Sequence, residues 1–414
     1  MNCRTCGAPL TGGPLITIEN MPAAAQNLPG PEDRDTERGI TVSLVHCPRC
    51  GMVQLDSAPV PYYRDVIRSG GYSTTMDRLR RSQYGPWIAS CGLEGKKILE
   101  AGCGQGEFLK ILTDYPVRAY GMEHKHDLVG KARAAGLIVE EAYPETEDQV
   151  FRDGPFDGFT SFNFLEHQPD PLKYLKAIAN NLTDGAYGLV TVPSFEYILE
   201  ESSFYELIPD HLLYFTMETL EGLMERCGFR VLKRERVNRD TLSVIVQKRA
   251  AEAPGFGKTG TAAEAVPAGR EAGTAAGEAG PENGTCPRPD VSGILLKKES
   301  IAREVRALTE ITRSEGKNFA VWGASHQGFT LCATTGIADN VSYIIDSAPF
   351  KHGKIAPASH IPIISPDQAL ECPPDRILIV APGYTDEIAG IIRARFPEGT
   401  DVWTLMTDHL TRCE

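Results

Sequence analysis

The sequence predicts an α/β protein built on a doubly wound, largely parallel sheet, with a small cysteine-bearing module before it and a second α/β unit after it. Three observations predict this. An apolar run, Ile98-Leu99, passes through Glu100 into Gly102, Gly104 and Gly106, and helical spacing follows at Phe108, Leu109, Ile111 and Leu112. Strand-like and helix-like stretches then alternate to about residue 249, and again from Ile294. Two C-x-x-C pairs, Cys3/Cys6 and Cys47/Cys50, stand near the N-terminus.

Taken in order, each cysteine pair puts two thiols on one tight turn, and Gly7 and Gly51 after them let backbone N–H groups face the sulfurs. Four soft ligands in two pairs suit a structural, tetrahedral Zn²⁺ with no open position, held by Cys3, Cys6, Cys47 and Cys50. His46 is left out because four thiolates close the shell. A helix is expected from Ser73 towards Ala89. Tyr62, Tyr63 and the segment 69–73 read either as a cover for a nucleoside pocket or as core and loop. Strands are expected at 97–101, 119–123, 137–139, 156–162 and 187–193, with helices near 127–135, 172–181 and 217–227. A closing hairpin, 231–236 and 242–247, ends the unit.

The glycine turn lets a ligand approach the backbone without a Cβ in the way. Glu123 ends the next strand some 20 residues on, where nucleoside-binding α/β folds hold a ribose hydroxyl pair. Asn163, Glu166 and His167 follow the fourth strand at the end of the sheet where active sites lie. The stretch 204–216 holds His211 beside Asp210, with Tyr205 and Tyr214 nearby. An imidazole titrates near neutrality, so His211 is the best general-base candidate; a packing histidine is the bland alternative.

Residues 250–290 are rich in Ala, Gly, Glu and Pro without apolar periodicity, which reads as a flexible linker. Gly257-Lys258-Thr259 within it lacks the strand and first glycine of a phosphate loop. Beyond it, strands at 319–323, 343–346 and 377–381 make a second Rossmann-like unit, whose turn Gly323–Gly328 suits an anionic group. The expected domains are therefore 1–60, 61–249, the linker 250–290, and 291–414. A net charge of −13 argues against a nucleic-acid partner. No apolar run reaches a membrane-spanning length, and the expected location is cytoplasmic.

The glutamate-first G-x-G-x-G loop resembles the S-adenosylmethionine (SAM) loop of class I methyltransferases. The whole chain resembles the three-domain sugar C-methyltransferases that act on nucleotide-linked keto-deoxysugars. The resemblance rests on the cysteine knuckles with His46-Cys47-Pro48-Arg49-Cys50-Gly51-Met52-Val53-Gln54-Leu55, on the SAM loop and on Asn163…His167-Gln168-Pro169-Asp170. In the C-terminal unit it rests on Gly323-Ala324-Ser325, Asp346…Lys351-His352-Gly353-Lys354 and His360-Ile361-Pro362-Ile363. It implies SAM held by Glu100, Gly102, Gly104, Gly106, Glu123 and Asn163. It also implies a nucleotide-linked sugar contacted by Asn163, His167, Ser325, His326 and Lys351, and His211 as a base that forms an enolate. The family's Tyr-x-Glu-His motif reads Ile208, Asp210 and His211 here, so an enolate-stabilising group would have to come from Tyr205, from Tyr214 or from a residue the motif does not mark. Gln327 stands where the family usually has Lys. O-methyl transfer, a non-catalytic nucleotide-sugar sensor, and an NAD-dependent C-terminal unit stay open at this point.

Overall fold

The computed structural model describes residues 1–64, 74–250, 285–381, 383–405 and 409–413. The segment 69–73 and the linker through residue 284, with its Gly257-Lys258-Thr259, lie outside the described residues. The N-terminal region supplies β1 (Ile16–Met21), β2 (Ile40–His46) and β3 (Val53–Leu55). Next come α1 (Thr74–Ser90), β4 (Lys97–Ala101), α2 (Glu107–Leu112), β5 (Arg118–Glu123), α3 (His126–Ala134), β6 (Val139–Glu141) and β7 (Phe156–Phe162). They are followed by α4 (Pro171–Asn180), β8 (Leu182–Pro193), α5 (Phe195–Glu200), β9 (Leu213–Tyr214), α6 (Met217–Arg226), β10 (Phe229–Val237) and β11 (Thr241–Lys248). The C-terminal part runs α7 (Ser292–Ser314), β12 (Phe319–Trp322), α8 (His326–Thr334), β13 (Tyr343–Ile345) and β14 (Ile363–Ile364). It ends with α9 (Pro366–Glu371), β15 (Arg376–Ile379), α10 (Thr385–Arg395), β16 (Asp401–Leu405) and β17 (Leu410–Arg412).

The central sheet has the order β10-β11-β8-β7-β4-β5-β6, parallel from β8 to β6, with β11 and β10 antiparallel at the edge. Chain order reverses between β4 and β7, so the crevice for a ligand opens at their carboxyl ends. Ile98, Leu99, Phe159 and Val190 are each at most 2% exposed, as a parallel strand covered by helices on both faces requires. Burying each of them is worth roughly 1.5–3 kcal/mol. The strand at 137–139 starts later than its apolar residues suggest: Leu137 packs on Gly106 from the preceding loop, and pairing begins at Val139.

The C-terminal sheet repeats the plan with the order β14-β13-β12-β15-β16-β17, parallel except for β17. Chain order there reverses between β12 and β15. In the smaller N-terminal sheet, β1-β2-β3-β9, the fourth strand comes from residues 213–214, far along the chain. One apolar core joins Ile18, Leu44 and Val53 of that sheet to Phe204 and Leu207 and to Ile301, Val305 and Phe319 of the C-terminal part. The stretch 204–214 is thereby clamped between all three sheets.

The end of the segment read as a linker is bound to the N-terminal module. The Cys286 amide donates to the Pro48 carbonyl at 2.6 Å, and Arg288 donates to the carbonyls of Gly13 and Pro14. Backbone and guanidinium donors with fixed acceptors hold these residues although their composition has no apolar periodicity. Among the described residues no helix is long and apolar enough to cross a membrane.

Candidate functional site

The glycine loop adopts the backbone its residues permit: Gly102, Gly104 and Gly106 have φ of 77°, 59° and 92°. A Cβ at Gly106 would lie 2.3 Å from Leu137 Cδ1, so α2 can start there only from glycine. At Gly104 the nearest atom to such a Cβ is Glu107 Oε2 at 3.6 Å, which leaves the loop an open cradle. Glu123 is tied to it, accepting from the Gly104 amide at 2.9 Å and the Lys125 amide at 2.8 Å. Glu100 is wholly buried at the end of β4, in register with Gly121 and Thr160. Asn163 turns the chain just past β7 with φ of 49°, its Oδ1 accepting from the Thr191 hydroxyl at 2.9 Å. The ring of Phe164 lies against Gly102. These six cofactor candidates are thus gathered at the carboxyl ends of β4, β5 and β7, a cradle of glycine backbone and carboxylates that fits the adenosyl and ribose parts of SAM.

A second cluster lies beyond β7 and β8. The His167 and His211 rings are 4.9 Å apart between centroids. His167 Nδ1 donates to the Asp210 carbonyl at 2.7 Å, and burial pushes the ring's pKa down to about 4. Burial also pulls His211 well below the ordinary histidine range, helped by the neighbouring His167 and His326. His211 is therefore a neutral imidazole at pH 7, ready to accept a proton.

The carboxylate next to His211 in sequence turns away from it. Asp210 accepts from the Ala25 amide at 3.2 Å. Burial raises its pKa, opposed by the Ala25 amide and the Tyr62 phenol. An acid whose charge does act on His211 is Glu206. Its Oε2 is 3.3 Å from His326 Nε2 and its Oε1 accepts from Gln327 Nε2 at 2.8 Å. Burial alone would raise Glu206, but His326, Gln327 and His211 outweigh it and hold the carboxyl down to about 2. Glu206 escaped the sequence reading because its partners lie some 120 residues further on, and no local pattern announces that contact. His326, expected at the substrate, is here a partner of Glu206 in the 204–214 stretch. Its own pKa is raised: burial works downward, and the Glu206 carboxylate overcomes it.

The Tyr214 hydroxyl is committed to the backbone of Ile208. The Tyr214 ring stands edge-on to His211 at 6.3 Å, but its hydroxyl accepts from the Ile208 amide at 3.0 Å and donates to the Ile208 carbonyl at 3.2 Å. Tyr205 is buried against Phe204 and feels the charge of Glu304. Tyr214 thus packs against the site, while Tyr205 belongs to the apolar core beside it.

The C-terminal unit repeats the loop-and-acid device of the central sheet. Asp346, just past β13, accepts from the Ala324 amide at 2.9 Å as Glu123 accepts from Gly104. Lys351 Nζ donates to Asp346 Oδ2 at 3.0 Å and to the Ala324 carbonyl at 2.8 Å. Ser325 caps α8, its hydroxyl accepting from the Gly328 amide. Ser325 and Lys351 therefore sit at one turn, with His326 facing the other cluster.

In the N-terminal module the two knuckles are copies of each other. The Gly7 amide donates to Cys3 O, and the Gly51 amide to Cys47 O, both at 2.9 Å. The four Sγ atoms lie within 4.8 Å of one another, with Cys3–Cys50 and Cys6–Cys47 at 3.6 Å. A zinc ion with four thiolates at about 2.3 Å needs sulfurs about 3.8 Å apart, so donor type and spacing both fit.

Comparison with known proteins bears on both large sheets. Residues 76–234 match a family described as methyltransferase domain, and residues 297–403 match the C-methyltransferase C-terminal domain. The C-methyltransferase NovU of Streptomyces niveus is 25% identical over 399 residues, spanning 93% of this chain and 90% of that one. A ubiquinone biosynthesis O-methyltransferase of Methylococcus capsulatus is 34% identical over 96 residues, which is 22% of this chain and 40% of its own length. Among solved structures, magnesium protoporphyrin IX methyltransferase from Synechocystis with bound SAH aligns at 14% identity, covering 45% of this chain and 92% of that one, with a TM-score of 0.36.

Proposed function

Since the chain belongs to the SAM-dependent methyltransferases that carry a C-methyltransferase C-terminal domain, we propose that it methylates a carbon of a nucleotide-linked keto-deoxysugar, with His211 as the base. The observation that carries this is the neutral, half-buried imidazole of His211, packed on His167 beyond the strand ends that also bear the glycine loop. The coverage of NovU across nearly the whole chain supports carbon as the acceptor.

When bound, SAM supplies an electrophilic methyl on a sulfonium. Glu123 and the Gly102–Gly106 loop hold the ribose and adenosine, and Glu100 and Asn163 line the same cradle. His211 removes the proton α to the ketone and becomes imidazolium, and the C–H electron pair passes into an enolate. The enolate carbon would form the new C–C bond to the methyl group as the S–CH3 bond breaks, its electron pair staying on sulfur as a neutral thioether. Glu206 steadies the imidazolium because its carboxylate is ionised throughout and its charge already acts on His211. Ile208 and the committed Tyr214 hydroxyl leave the enolate oxygen to other donors, and His326, whose charge acts on His211, is one candidate. The diphosphate of the nucleotide would lie against the Ser325 turn and Lys351. Cys3, Cys6, Cys47 and Cys50 would hold a structural Zn²⁺ that pins the N-terminal sheet, and the chain would work in the cytoplasm.

Replacing His211 by Ala tests the reading. SAM affinity by calorimetry should stay near wild type and transfer should fall ~10²–10⁴-fold. Near-normal turnover in that variant refutes His211 as the base.

A further inference from the structure

Three ligand-type atoms meet at the proposed base. One carboxylate oxygen of Glu166 and one ring nitrogen each of His167 and His211 lie within 4.8 Å of one another. His167 Nε2 is 3.7 Å from Glu166 Oε1. Glu166 and His167 are 1% and 4% exposed. The frame around them is stiff, because Leu165–His167 form a 3-10 turn and the His167 amide donates to the Phe164 carbonyl at 3.2 Å.

The orientation of His167 carries most of the argument. Its Nδ1 is 2.7 Å from the Asp210 carbonyl oxygen, an atom that can only accept, so Nδ1 bears the hydrogen. In the neutral ring Nε2 then turns a lone pair towards a carboxylate oxygen. Metal-binding histidines are held in this same way, with the nitrogen not on the metal donating to a backbone carbonyl that fixes ring and tautomer.

The geometry points to a transition-metal site formed by Glu166, His167 and His211, separate from the four-thiolate cluster. Two imidazoles and one carboxylate suit Zn²⁺, Co²⁺ or Ni²⁺, whereas Mg²⁺ and Ca²⁺ prefer all-oxygen shells. Three protein ligands leave one coordination position open. At ligand distances of about 2.0–2.1 Å the edge of a tetrahedral shell is about 3.3 Å, so the 3.7 Å gap needs to close by only a few tenths of an ångström. Ligation uses the lone pair with which His211 would accept a proton. Metal capture therefore stops transfer, a consequence that rests on the reading of His211 as base, while the binding itself does not.

The test is a Co²⁺ titration of the full chain with its four-cysteine site already filled with Zn²⁺. Visible absorption and methyl transfer are followed in parallel. The expected result is one further equivalent of Co²⁺, with ligand-field bands of nitrogen and oxygen donors and no thiolate charge-transfer band. Transfer should fall over the same concentrations and return on adding a weak chelator that spares the zinc. Glu166→Gln and His167→Asn should each weaken Co²⁺ on the order of tenfold or more, with SAM affinity as the control for folding. Absence of a second equivalent in the wild-type protein overturns the site, as does binding that neither variant weakens. If Co²⁺ binds as expected and transfer continues unchanged, the metal site stands and the assignment of His211 as base falls.

Discussion

At the scale of single residues, the account turns on which acid serves which histidine. Asp210 adjoins His211 in the chain, yet its carboxylate accepts from the Ala25 amide, while Glu206 carries the charge felt by His211. Glu206→Gln keeps the shape and removes the charge. It should lower the transfer rate on the order of tenfold, through loss of the imidazolium's counter-charge, and leave SAM affinity unchanged. Asp210→Asn should do less to the rate and more to thermal stability, since its role is to tie the 22–25 loop to the site. Measuring kcat and unfolding midpoints of both variants side by side decides the matter, and a larger rate loss in Asp210→Asn contradicts it. Sequence reading found the base candidate because a histidine among aromatics past a strand end is locally visible. The pairing of Glu206 with His326 and Gln327 depends on two sheets meeting, which no short-range pattern encodes.

At the scale of elements, two loop-and-acid devices set the geometry. Both Rossmann-like sheets tie the turn after the first strand to an acid at the end of the second: Gly104 with Glu123, and Ala324 with Asp346. Gly106→Ala forces φ of 92° on a residue with a Cβ and drives that atom to 2.3 Å from Leu137. The backbone alone should cost about 1–2 kcal/mol, read as a lower urea midpoint, and SAM binding should weaken with it. The knuckles make a parallel claim. Purified protein should hold one zinc per chain by metal analysis, and Cys47→Ser should release it and lower the melting temperature; full stability without zinc would contradict a structural site. The strands and helices of the central sheet were legible because apolar runs and glycine turns act locally. The two-residue β9 was not, since residues 213–214 become a strand only by pairing with β3.

At the scale of the whole molecule, the stretch 204–214 is a hub that touches every sheet, and the Glu206–His326 pair is its charged link to the C-terminal part. Its pH dependence follows from two opposite shifts. Glu206 is depressed from 4.5 to about 2, so its contribution is present above pH 4.5 and lost as pH falls towards 2. His326 is raised above 6.5, so its contribution is present below pH 6.5 and lost as pH climbs through the raised value. The link should therefore be strongest between pH 4.5 and 6.5 and weaken as pH climbs through the raised His326 value. His326→Asn should abolish the loss of stability on the upper-pH side in urea unfolding, and an unchanged profile would remove the pair from the account. The α/β fold class was readable from the alternation of strand-like and helix-like stretches, whereas the docking of Cys286 and Arg288 on the N-terminal module has no compositional mark. The most direct test of the whole is transfer from SAM bearing a ¹³C-methyl group to a nucleotide-linked 4-keto-deoxysugar, with the product read by NMR. The account predicts a labelled methyl bonded to the carbon beside the ketone. A label on oxygen, or no transfer by protein that binds both compounds, would contradict it.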